Sequence, residues 1–132
     1  MARKGDLNNP DAALTNPDNY RAIRFADVLL MAAEALNRGN ISDARALDYV
    51  NQVRNRATLP NINTTGNNLT NDIYKERRVE LVGEGHRFFD LVRTGRAAQE
   101  IDGFQSGKNE LFPIPIEEIL LTGNRWEQNP GY

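Results

Sequence analysis

The sequence predicts a mainly α-helical protein: a tetratricopeptide-like helical hairpin, then further helices and an irregular, proline-containing C-terminal segment. Three observations carry this prediction. Apolar residues between Ile23 and Ala57 recur at helical spacing in two runs, separated by a short break of glycine and asparagine. A third run, Ile73 to Arg93, is dense in alternating charge. The six prolines stand before, between and after these runs and never inside them.

The 132 residues, 39% hydrophobic and 26% charged, have the size and balance of one globular domain. A chain of this length buries roughly two thirds of its unfolded surface, so it needs neither disulfide nor structural metal to hold a core. Residues 1–19 hold Pro10, Pro17 and little hydrophobic bulk, and are expected to form an extended or disordered lead-in. The single α-helical domain is expected over 20–132, with structure beginning near Tyr20.

The first helix follows from Ile23, Ala26, Leu30 and Ala33, with Phe25, Leu29, Ala32 and Leu36 filling the adjacent stripe. So broad an apolar face predicts cover from more than one side. Gly39 or Asn40 supplies the left-handed stop. Ser42 is an N-cap with Asp43 in the first turn, and Ala46, Val50, Val53 and Ala57 mark a second helix. The short linker makes the pair an antiparallel hairpin. No second copy follows at the period of about 34 residues that tetratricopeptide arrays use. Leu59-Pro60 ends the second helix, and Asn61 to Asn68 reads as a polar loop. Thr70 or Asn71 is expected to cap a third helix through Ile73, Leu81 and Val82 toward Gly83. Beyond Gly95 a short helix to Ile101 is expected, then irregular chain past Gly103. Pro115 opens a last short helix, Ile116 to Leu121, closed by Gly123.

The chemistry these residues offer is narrow. There is no cysteine and only one histidine, His86, which excludes thiolate and multi-imidazole sites. The net charge of −2 has the wrong sign for a generic nucleic-acid binder. No apolar stretch reaches the roughly 18 residues of a membrane span, since Asp27 and Glu34 interrupt the most hydrophobic window. Thirteen arginines against three lysines favour internal ion pairs, because the rigid guanidinium fork suits partly buried carboxylates.

Glu76, Glu80 and Glu84 would share one face of a continuous helix, where like charges repel unless cations answer them. As a metal or acid–base site this face lacks the Glu-x-x-His pairs of helical di-iron proteins. The preferred reading is a structural network neutralised by Arg77, Arg78 and Arg87, so that Arg87→Ala is expected to unfold the domain. Gly83-Glu84-Gly85 follows a helical pattern and lacks the third glycine of a dinucleotide loop, so the glycines mark a helix end or a close backbone approach. His86 has only Ser42 and Ser106 as serine partners and is read as structural. Trp126 and Tyr132 are expected as buried anchors against the helices.

Five segments resemble, in order, the motifs of the SusD/RagB family, the outer-membrane nutrient-binding lipoproteins of Bacteroidetes. They are Arg24 to Ala35, Val50 to Ala57, Ile73 to Arg93 around Glu76-Arg77-Arg78-Val79-Glu80-Leu81, Phe112-Pro113-Ile114-Pro115, and Gln128-Asn129-Pro130-Gly131-Tyr132. The resemblance covers the C-terminal portion of a family member only, because members are several hundred residues long and begin with a lipoprotein signal and an acylated cysteine. This sequence shows neither.

The resemblance implies a helical fold with tetratricopeptide-like pairs and no enzymatic activity. It implies capture of oligosaccharides or other nutrients at the outer membrane, with a TonB-dependent SusC-like transporter as partner. The motif residues Glu76, Arg77, Arg78, Glu80, Arg87, Asp90 and Arg93 fit the ion-pair reading above and are assigned to architecture. No catalytic, metal or cofactor-binding residue and no cofactor is expected, and the ligand-binding residues stay unassigned. The competing expectation is a free-standing scaffold that binds another protein, or itself, through the unstacked face of the Ile23 to Ala57 hairpin.

Overall fold

The computed structural model describes residues 22–123 and 125–132. The lead-in expected over 1–19 and the start of structure near Tyr20 lie outside the described residues. Among those described there are six helices and no strand: α1 (Phe25–Arg38), α2 (Asp43–Arg56), α3 (Gly66–Glu80), α4 (His86–Arg93), α5 (Ala97–Glu100) and α6 (Ile116–Leu121). They fall into two compact units that divide after Glu80.

In the first unit α1 and α2 form the expected hairpin. Asn40 takes the left-handed conformation at φ +52°, and the Ser42 hydroxyl accepts the Arg45 N–H at 3.3 Å. Ala26, Leu30 and Ala33 of α1 meet Ala46, Val50 and Val53 of α2 and Leu69 and Ile73 of α3 in one core. Leu30, Val50, Leu69 and Ile73 are fully buried.

The wide apolar face of α1 is covered on one side only. Phe25 is 72% exposed and Val28 and Met31 lie open, as does Ile23 just before the helix. The buried stripe runs instead through Ala26, Asp27, Leu30, Ala33, Glu34 and Asn37, because α2 and α3 both approach from that flank and bring polar partners with them. At the far end of the hairpin α2 stops at Arg56, leaving Ala57 exposed where a last core contact was expected.

The third helix starts earlier than the sequence suggests, at Gly66, and Asn67 and Asn68 are helical instead of loop. Its first N–H has a donor's partner from elsewhere: Asp43 Oδ2, at the start of α2, accepts from Gly66 N at 2.6 Å. Asn37 joins the three helix ends, donating from Nδ2 to Asp43 Oδ1 at 2.7 Å and to the Gly66 carbonyl at 3.1 Å. Thr70, expected as the cap, sits inside α3 and donates its hydroxyl to Asn37 Oδ1. In the connection between α2 and α3, the Asn51 amide pairs with both backbone groups of Ile62, at 2.9 and 3.1 Å.

α3 ends at Glu80, so Val82 and Glu84 fall in the turn beyond it and Val82 is 77% exposed. Gly83 and Gly85 adopt φ of +80° and +82°, and nothing lies within 4 Å of where a Cβ would stand. Backbone conformation, and not close packing, therefore demands glycine there.

In the second unit Asp90, Leu91 and Ala97 are buried, and Phe88 stands edge-on to Phe89 at 5.7 Å and tilted to Phe104 at 6.4 Å. Pro115 precedes α6 as expected, with Ile119 buried. The chain end is fastened by side-chain amides. Gln128 accepts the Ile114 N–H at 2.7 Å and donates to the Ile114 carbonyl at 2.8 Å, and Asn129 donates to the Phe112 carbonyl at 2.6 Å. Trp126 and Tyr132 are not the buried anchors expected: they are 54% and 47% exposed. Tyr132 is held at its rim, its hydroxyl donating to the Leu111 carbonyl at 3.0 Å and Lys108 Nζ standing 4.9 Å from its ring centre.

Two outcomes test this packing. Leu30→Ala removes a side chain with no exposed surface and should lower unfolding free energy by about 2–5 kcal/mol in urea titrations. The Gly66 N–H and the Asn37 amide hold the Asp43 carboxyl below its ordinary pKa of 3.8. Its contribution is then fully present above 3.8 and fades as the pH falls through the lower folded value. The stability gap between the parent sequence and Asp43→Asn should shrink across that acid range, measured as urea midpoints from neutral pH downward.

Candidate functional site

The cluster with the most chemistry in it is the set of arginines and carboxylates between the helices of the first unit. Arg77 of α3 donates from Nη1 to Asp27 Oδ1 of α1 at 2.8 Å, with both side chains only 5% exposed. Arg24, just before α1, donates to the Glu80 carboxylate and to the Glu80 carbonyl that ends α3. From α2, Arg56 Nη2 bridges both oxygens of Glu80 at 2.9 Å. Arg54 donates to Glu76 Oε2 at 2.7 Å and to the Pro60 carbonyl at 2.9 Å.

Glu76 and Glu80 of α3 are thus answered by arginines from outside it, whereas Asp72 pairs with Lys75 of its own helix at 3.7 Å. Two opposite steps of three residues, Arg24 to Asp27 and Glu80 to Arg77, also set α1 and α3 antiparallel.

The ion-pair reading holds, but with different partners from those expected. Glu76 and Glu80 are met by Arg54, Arg24 and Arg56, none of which was assigned to them from sequence. Arg77 turns to Asp27, which in the sequence looks like an interruption of a hydrophobic window. Arg78 is exposed and forms no ion pair among the described residues. Arg87 pairs with Glu100 across a surface where both side chains are about a third exposed. Asp90 accepts from Arg93 at 2.7 and 2.9 Å, within α4. The three-acid face expected over Glu76, Glu80 and Glu84 stops at two, since α3 ends at Glu80.

The other candidate chemistry is dispersed. The Ser42 hydroxyl caps α2, Ser106 is exposed in a turn, and His86 opens α4 half-buried. Among the described residues no group of three or more His, Asp or Glu side chains could hold a metal ion. The signal that could have located the missed partners is the spacing within each motif. Arg54 and Arg56 stand two residues apart in the last turn of α2, and Arg24 and Asp27 three apart at the start of α1.

Breaking the buried pair and breaking the surface pair should differ sharply. Asp27→Ala leaves the Arg77 guanidinium buried without its carboxylate and should cost about 3–5 kcal/mol. Arg87→Ala, contrary to the expectation from sequence, should cost no more than about 1 kcal/mol, because solvent screens its pair. Chemical denaturation of the two variants side by side checks both values.

Residues 6–110 match the SusD_RagB model, which describes the SusD family. SusD-like protein P2 of Formosa agariphila is 34% identical, over 86% of this chain and 26% of its own length. SusD-like protein P25 of the same organism is 43% identical over 80% of this chain and 23% of its own length. Among solved structures, a SusD homolog from Bacteroides thetaiotaomicron superposes with a TM-score of 0.76 at 34% identity, covering 83% of this chain and 25% of that one. Surface glycan-binding protein A from the same organism gives a TM-score of 0.76 at 35% identity, covering 88% and 26%. The chain therefore spans about a quarter of the length of the curated relatives it matches. The family match spans most of the chain, and relatives about a third identical superpose on its helices: the chain belongs to the SusD family.

Proposed function

We propose that this chain is the C-terminal helical part of a non-catalytic nutrient-binding protein of the outer membrane, with 20–132 as its helical domain. That protein captures oligosaccharide at the cell surface and delivers it to a TonB-dependent SusC-like transporter. The observation that carries the proposal is family membership, together with the use to which the motif residues are put. Arg24, Asp27, Asn51, Arg54, Glu76, Arg77, Glu80, Gln128 and Asn129 all hold helix to helix or side chain to backbone. The similarity to a surface glycan-binding protein supports a carbohydrate as the nutrient class. No helix among the described residues is long and apolar enough to cross a membrane.

A second reading has its own observation. The outward side of α1, through Phe25, Val28, Ala32 and Ala35, carries no charge over three turns, and its three- and four-residue steps are those of a helix-packing seam. A free-standing scaffold would use that seam to bind another helix.

Affinity electrophoresis through gels containing a panel of polysaccharides tests the leading proposal on the full-length protein that carries this chain. Retardation by at least one polysaccharide, with no release of reducing ends on incubation, is expected. Release of reducing ends would overturn the non-catalytic assignment, and unretarded migration in every gel would overturn glycan capture. Light scattering on the 132-residue chain separates the second reading. A tight dimer lost in Val28→Glu would favour the scaffold, whereas a monomer would favour a part of a larger protein.

A further inference from the structure

We draw no further inference here: the strongest candidate, the uncharged outward seam of α1 through Phe25, Val28, Ala32 and Ala35, already belongs to the scaffold reading above, and nothing in the structure shows what covers it.

Discussion

The fold of the first unit turns on one buried ion pair, Asp27 with Arg77. Taking a carboxylate and a guanidinium out of water costs several kcal/mol each, and their attraction offsets that only when the geometry is good and the remaining polar atoms are satisfied. No buried side-chain nitrogen or oxygen among the described residues lacks a partner, so the condition is met. The consequence is register more than net stability. A helix rotates by roughly 100° per residue, and a slip of α1 against α3 by one residue would carry Asp27 away from Arg77 and bury both charges alone. The Arg24–Glu80 pair, three residues further along each helix in opposite directions, enforces the same alignment.

This constraint explains why so lean a hydrophobic core suffices. α3 contributes only Leu69 and Ile73 to it, and one turn on its buried positions are Glu76 and Arg77. Arginine stems lie along apolar surface while their forks reach carboxylates, so the ion pairs lengthen the contact between helices where leucines run out. The irregular segments obey the same logic at smaller scale. Asn51 and Gln128 each pair with both backbone groups of one residue, Ile62 and Ile114, supplying the hydrogen bonds that extended chain would otherwise take from a neighbouring strand or from water.

What the sequence made legible follows from the range of the interactions. The α1–α2 hairpin, the Ser42 cap, the Asn40 turn, the glycines before α4 and the proline before α6 rest on residues within a turn or two of each other, and local pattern finds them. The start of α3 was hidden because the acceptor for its first N–H comes from Asp43, 23 residues earlier. Periodicity placed Glu76 and Glu80 on one face and called for arginines, but it cannot say which helix will face them. Arg77 and Arg87 were therefore matched to the nearest acids in sequence instead of those near in space. Phe25 failed for the complementary reason: a stripe pattern reports that a face is apolar, not that anything stands against it.

The same network bears on what this part of the molecule can do. Glu80 is held between two guanidinium groups and Glu76 by one, and Asp27 lies with its arginine out of solvent. Moving a proton to or from a substrate requires a carboxylate within hydrogen-bond reach of that substrate, and both Glu80 oxygens, Glu76 Oε2 and Asp27 Oδ1 are engaged by the groups that align the helices. Removing an arginine to free one of them would release the register it sets before it offered a base. Architecture and reactivity therefore compete for the same side chains here, and alignment takes them.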